Sequence, residues 1–268
     1  MINKTNKLKL TIAATAIGAC FASGQSNPLG VPVDITLWGG VTSFDGPGVS
    51  NSVSGLRMAE IAFMPNGAWR YWARYDNTLT LDNFQLRDLG DTGEAYLFGA
   101  SYFVPNQYQM LLEGGIRHLQ GDLDQTIVRG EYVTFGQEGT ALKVGGWVGP
   151  REDDKTEWMA YVGYRFPFTN QIAIEPTFFY SRTGFGNEDQ WRILLAGDYQ
   201  VQSNLKLSGG IAFGKALTPT GTDRYIGGHL MAEIPMSPNN RAYLLLKRET
   251  AGDESLWTVA AGITIGLR

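Results

Sequence analysis

Two histidines and one cysteine are the chain's whole stock for the commonest nucleophilic and metal chemistry, so their settings decide what is available. Hydrolysis or acyl transfer at a lipid surface needs a nucleophile and a base in contact, normally serine with histidine. His118 stands in Arg117-His118-Leu119-Gln120-Gly121 with no serine two positions on. His229 stands among Gly227, Met231 and Glu233, where a hydrogen bond to Glu233 is the expected role. Asp122, Asp124, Glu152, Asp153 and Asp154 crowd two links. Calcium, however, needs about six or more converging oxygens, and no EF-hand spacing is present. A phosphate cradle would need a glycine-rich turn between a strand and a helix, and none is found. The expectation is therefore no catalytic residue, no metal site and no cofactor.

What remains is a large set of charges at alternating positions. Glu60, Arg70, Arg74, Glu113, Arg117, Arg129, Glu131, Lys143, Glu157, Arg165, Glu175, Arg192, Asp198, Lys206, Glu233 and Lys247 share one face, together with His229, while apolar residues take the other. Charges confined away from bulk water need partners of opposite sign. If each short turn sets the register of its hairpin, four pairs fall directly across from one another: Glu60 with Arg70, Glu131 with Lys143, Arg165 with Glu175, and Asp198 with Lys206. Such a belt is structural in the first place. Lining a wet path, the same rows would also select solutes by size and by the transverse field between them.

The elements that must position these charges are strands. From Val33 onward the sequence breaks into segments of alternating character separated by turn signals. In Gln190 to Val201, for example, Trp191, Ile193, Leu195, Gly197, Tyr199 and Val201 alternate with Gln190, Arg192, Leu194, Ala196, Asp198 and Gln200. Fourteen such segments can be placed, with twelve as the alternative count. Links such as Pro105-Asn106 and Thr169-Asn170 are short, and those between them, including Asp76 to Thr92 and Thr183 to Asp189, are longer and charged or glycine-rich. The composition agrees: 34 glycines and 12% aromatics suit strands and tight turns. The formal charge of −4, with no cluster of Lys and Arg, excludes a nucleic-acid partner.

The first residues have another purpose. Lys4, Lys7 and Lys9 precede an apolar stretch from Leu10 to Ala22, followed by small and polar residues, which is the layout of a secretory signal peptide. Residues 1–24 are assigned to it, 25–32 to an N-terminal segment and 33–268 to the barrel. Cys20 lies inside the signal; Ile17-Gly18-Ala19-Cys20 loosely resembles a lipobox, which makes lipidation the alternative fate. If cleavage falls beyond Cys20, disulfides and thiolate chemistry are excluded.

Aromatic residues fall near both ends of the segments on the apolar face: Tyr102, Tyr108, Phe166, Phe168 and Tyr199 beside short turns, and Tyr180, Trp191, Phe213 and Trp257 beside longer links. Tyr and Trp prefer membrane interfaces. A closed antiparallel transmembrane β-barrel of about fourteen strands, with short periplasmic turns and longer external loops, is therefore expected over a secreted two-sheet sandwich. The ending Gly262-Ile263-Thr264-Ile265-Gly266-Leu267 resembles the C-terminal recognition signal of bacterial outer-membrane barrel proteins, although Leu267-Arg268 stands where most members end on an aromatic. The resemblance implies residence in the cell outer membrane, insertion by the barrel-assembly machinery through the last strand, and contact with outer-membrane lipid and lipopolysaccharide. The expected function is a narrow, porin-like passive channel for small hydrophilic solutes. The alternatives are a non-conducting accessory barrel in surface-polymer assembly or export and, less favoured, a lipid-modifying enzyme acting through His118.

Overall fold

The computed structural model describes residues 30–46, 49–77, 94–119, 123–153, 155–182, 189–218 and 221–268. The proposed signal peptide, Cys20 and the link Asn77 to Glu94, apart from its ends, lie outside them. The described chain forms fourteen antiparallel strands closed into a single barrel. They are β1 (Val33–Gly46), β2 (Val49–Phe63), β3 (Trp69–Asn77), β4 (Glu94–Val104), β5 (Tyr108–Leu119), β6 (Leu123–Phe135), β7 (Ala141–Pro150), β8 (Thr156–Pro167), β9 (Ile172–Arg182), β10 (Asp189–Gln202), β11 (Leu205–Thr218), β12 (Gly221–Ser237), β13 (Asn240–Ala251) and β14 (Glu254–Leu267). Each strand pairs with its neighbours in sequence, and β1 closes the ring on β14 from Val33↔Leu267 to Asp45↔Ser255. Closure leaves no strand without a neighbour on each side, and it rules out the sandwich.

The seam between β1 and β14 is held by more than its ladder. Thr36 and Thr264 share a hydroxyl hydrogen bond of 2.8 Å, and Thr42 and Thr258 one of 3.1 Å. Arg268 adds an ion pair to Asp34 at 2.8 Å, so the residue that replaces the usual aromatic ending clamps the last strand to the first.

Several strands run beyond their expected ends at the rim away from Val33 and Leu267, called here the distal rim. The connections from Gly46 to Val49, Thr218 to Gly221 and Ala251 to Glu254 leave only two residues each, because the ladder continues into Asp45 to Ser52, Leu217 to Asp223 and Thr250 to Glu254, which the sequence reads as longer links, as in Asp45↔Ser50 and Leu217↔Thr222. At the opposite, terminal rim the turns have local chemistry of their own. The Asn66 side chain accepts hydrogen bonds from the backbone N–H groups of Ala68 and Trp69 at 3.0 and 2.9 Å, and Asn106 takes the left-handed φ of 56° that a tight turn needs.

The two faces meet different surroundings. Phe98, Leu112, Ile211, Leu230, Leu244 and Leu246 are among the exposed outward residues, and such residues recur on nearly every strand. An apolar surface that encircles the molecule is far larger than a water-soluble monomer shows, and hydrocarbon is the solvent it fits. Leu195 and Ile211 are exposed on this face, whereas Arg192 is buried on the other. Outward aromatics touch one another at the terminal rim, in Trp69 with Tyr102, Tyr102 with Tyr108 and Tyr108 with Tyr132, at ring separations of 4.8, 6.2 and 5.9 Å. At the distal rim Trp158 meets Tyr180 at 5.7 Å.

Candidate functional site

The candidate site is the lumen, and its inner wall follows one constructional rule. A large side chain on one strand lies flat across a glycine on the next and reaches a partner on the strand after that. Trp72 of β3 covers Gly99 of β4, where a Cβ would lie 2.2 Å from the indole, and its Nε1–H donates to Glu113 of β5 at 2.8 Å. Tyr161 of β8 crosses Gly145 of β7 and donates to Glu131 of β6. Lys143 of β7 passes Gly163 of β8 to pair with Glu175 of β9. Trp38 of β1 covers Gly262 of β14 and stacks on Tyr243 of β13 at 5.3 Å. These glycines matter here for the absence of a side chain, because the inward row must be bare where another residue crosses it.

The distal half of the lumen is packed. Arg192 of β10 lies opposite Gly214 and holds its guanidinium 3.6 Å from the centre of the Tyr225 ring. Tyr225 donates to Glu249 at 2.7 Å, while Arg192 and Lys247 approach the same carboxylate at 3.6 and 2.7 Å. Closer to the rim, Arg151 reaches Glu157 at 3.2 Å, Gln125 donates to Glu157 at 2.9 Å, and Arg117 donates to Gln125 at 3.2 Å while lying over Trp147 at 5.4 Å. Ile127, Trp147, Met159, Phe179, Leu194 and Ala251 form an apolar cluster among these groups. Midway along the barrel, Glu113 receives Arg74 at 2.8 Å and Arg129 at 4.0 Å, and Arg129 also reaches Glu131 at 3.7 Å.

Nearer the terminal rim several charges are more exposed, beside a buried cluster of Trp38, Met58, Leu245 and Ala260 on β1, β2, β13 and β14. Side chains of Arg151 and Arg192 keep 1% of their surface, whereas Arg70, Arg165, Lys206 and Arg241 keep 36%, 36%, 39% and 55%. In these exposed pairs the acid is the more covered partner, with 11% left for Glu60, 21% for Asp198 and 19% for Glu233. In these pairs the cationic head is the more exposed partner, whereas Lys143 and Glu175 are covered about alike, keeping 17% and 21% of their surface.

Two of the four expected partnerships exist, and two are exchanged. Glu60 pairs with Arg70, and Asp198 with Lys206 at 3.5 Å, but both contacts are diagonal, since the residues directly opposite are Arg74 and Ser208. Lys143 pairs with Glu175 in place of Glu131, and Arg165 with Asp198 at 2.6 Å in place of Glu175. The cause is the register: Lys143 is opposite Val133 on one side and Gly163 on the other, so its long side chain crosses the bare position. Glu233 pairs with Arg241 at 3.2 Å, so the contact expected between it and His229 gives way to a neighbour on β13. His118 faces outward at the distal rim, half-exposed, in contact with Asp124. Of the acids in the two links, Asp122 and Asp154 lie outside the described residues, and Asp153 is held by Arg151 at 3.0 Å.

Several functional side chains were not reached from the sequence. Trp72 shares the inward parity of Arg70 and Arg74 and was legible in principle; its glycine platform required the register. Tyr225 and Glu249 fall within the expected segments Arg224 to Met236 and Arg241 to Glu249 and share the inward parity of His229 and Lys247, so both were legible in principle. Arg57, buried to 1%, could not be found by parity, because the ladder shifts at Trp38/Gly39 and Arg57 is the extra residue between Leu56 and Met58.

No protein-family model matches this chain, and no curated protein matches it in sequence. Its fold does match solved structures. A bacterial polysaccharide outer-membrane secretin aligns with a TM-score of 0.54 at 11% identity, over 88% of this chain and 98% of that one. The deltaS2S3 mutant of the monoaromatic hydrocarbon channel TodX gives 0.54 at 10% identity, over 89% and 90%. The NanC porin gives 0.51 at 9%, over 86% and 98%. At such identities the likeness is one of architecture, and the architecture is that of bacterial outer-membrane β-barrels.

Proposed function

We propose that the chain resides in the bacterial outer membrane and passes small polar solutes through a narrow lumen without energy input. One observation carries the reading: paired charges of both signs line a terminal half whose cationic heads stay water-accessible, as a wet vestibule requires. Near-equal numbers of each sign argue against strong ion selectivity. The greater exposure of the cations adds a mild preference for anions. The packed distal half is the constriction, and the terminal rim, opposite the longest link, Asn77 to Glu94, is the periplasmic one. The reading includes export through residues 1–24 and insertion by the barrel-assembly machinery through β14.

The same packing favours a second reading, a non-conducting accessory barrel in surface-polymer assembly or export. Planar-bilayer recording separates the two. Stepwise conductance from the folded protein is expected, and replacing Arg165 and Lys206 with alanine should enlarge the steps and remove the anion preference. A folded barrel that stays silent would favour the accessory role. Catalysis is not part of either reading; lipid turnover abolished by His118→Ala would overturn both.

A further inference from the structure

On β11, β12 and β13 the outward rows end in the same way. The β11 row runs Leu207, Gly209, Ile211, Phe213 and then Lys215; the β12 row runs Ile234, Ala232, Leu230, Gly228, Ile226 and then Arg224; the β13 row runs Ala242, Leu244, Leu246 and then Arg248. Each passes from apolar to cationic at its distal end. Lys215 and Arg224 are directly opposite each other on neighbouring strands. Like charges so placed repel, so neither stabilises the pairing, and both are exposed. Arg248, also exposed, is opposite Trp257, and Trp191 is opposite Lys215.

The neighbouring cation shows what is missing here. Arg182 on β9 has its own acid, Asp189, at 2.7 Å. Lys215, Arg224 and Arg248 have no ion pair or side-chain hydrogen bond among the described residues. The height is informative as well. Leu205 to Lys215 spans ten steps of about 3.3 Å, which at a tilt of roughly 40° rises about 25 Å, the depth of the apolar band in such barrels. Lys215 and Arg224 therefore stand where hydrocarbon gives way to headgroups on the distal side, and Arg248 with its tryptophan lies deeper, opposite Gly228 and four residues along β12 from Arg224. The anion available at that level is the phosphate of an outer-leaflet lipid, and the aromatic side chains beside it suit a sugar ring and acyl chains.

We propose that Lys215, Arg224 and Arg248 form a docking site for a phosphorylated glycolipid of the outer leaflet. The inference rests on the outer-membrane reading and gives one lipid contact a definite sector of the barrel. The test uses the full chain folded in detergent and native mass spectrometry with diphosphoryl lipid A and its dephosphorylated counterpart. Retention of the phosphorylated form is expected, weakened about a hundredfold when Lys215, Arg224 and Arg248 are all replaced by glutamine and unchanged by Lys155→Gln at the same rim. Equal retention by the triple variant, or equal binding of the dephosphorylated lipid, would overturn the site. Heat-modifiable migration of both proteins after transfer to vesicles checks the underlying reading: if it persists while lipid A is not retained, the site alone fails, and if it is absent, the membrane assignment fails with it.

Discussion

The two halves of the lumen have similar chemistry and differ in how far their ion pairs are exposed. Both carry arginine, lysine and acid in near balance, yet the distal half buries them among aromatic and aliphatic side chains, whereas the terminal half leaves its cations in water. Composition therefore does not decide whether a barrel interior is core or channel. Both halves use the bare positions that glycine leaves: Trp72 over Gly99, Lys143 past Gly163 and Trp38 over Gly262 stand toward the terminal rim, and Tyr161 over Gly145 near the middle. Toward the distal rim Arg192 is directly opposite Gly214, where a Cβ would meet the Trp191 carbonyl oxygen at 2.0 Å. Toward the terminal rim Trp38, Met58, Leu245 and Ala260 pack with Met231 and Tyr243, while Arg70, Arg165, Lys206 and Arg241 remain partly exposed.

The largest effect should come from a buried charge. Arg192→Ala removes the guanidinium from Tyr225 and Glu249 and leaves the acid with Lys247 as its one cation beside the Tyr225 hydroxyl, so folded-state stability should fall by about 3 kcal/mol. Denaturant titration of the heat-modifiable form reads this directly. Next in size is the glycine platform. Gly99→Ala drives a Cβ into the Trp72 indole and should cost roughly 1–3 kcal/mol, while Gly67→Ala, at a turn with nothing within 4 Å, should leave the midpoint unchanged. Equal effects at the two glycines would remove the crossing rule.

Smaller still is Lys206→Ala in the terminal half. Its pair is exposed and Asp198 keeps Arg165, so a loss below about 1 kcal/mol is expected, with conductance altered more than stability. The smallest is a pH effect at the distal rim. Burial pushes the Asp153 carboxyl up, but Arg151 and Lys155 together outweigh it and hold the group below its ordinary value. A depressed folded value means that its contribution is present above the unfolded value and disappears as pH falls through the folded one. Acid titration of the unfolding midpoint should show that small loss, and Asp153→Asn should abolish it.

Much of this architecture was legible in the sequence. Strand number and approximate ends follow from period-two alternation, which is strict in β10 because Trp191, Ile193 and Leu195 face hydrocarbon while Arg192, Leu194 and Asp198 face inward. Which residues line the lumen was legible for the same reason. Their partners were not, since pairing depends on register, and register depends on bulges and diagonal reach: the insertion at Arg57 and the passage of Lys143 over Gly163 leave no trace in a hydropathy pattern. Nor does alternation tell a filled section from an open one, because Leu194 and Arg192 read alike as inward residues whichever state they adopt.

The contrast between the halves is tested most directly by thiol accessibility, using a Cys20→Ser chain that carries one new cysteine at a time. A membrane-impermeant thiol reagent should modify Lys206→Cys in the folded barrel at least about tenfold faster than Thr177→Cys, whose parent residue is buried in the wall. Similar rates at the two positions would mean that water reaches both halves alike, and the division of the lumen into vestibule and constriction would be wrong.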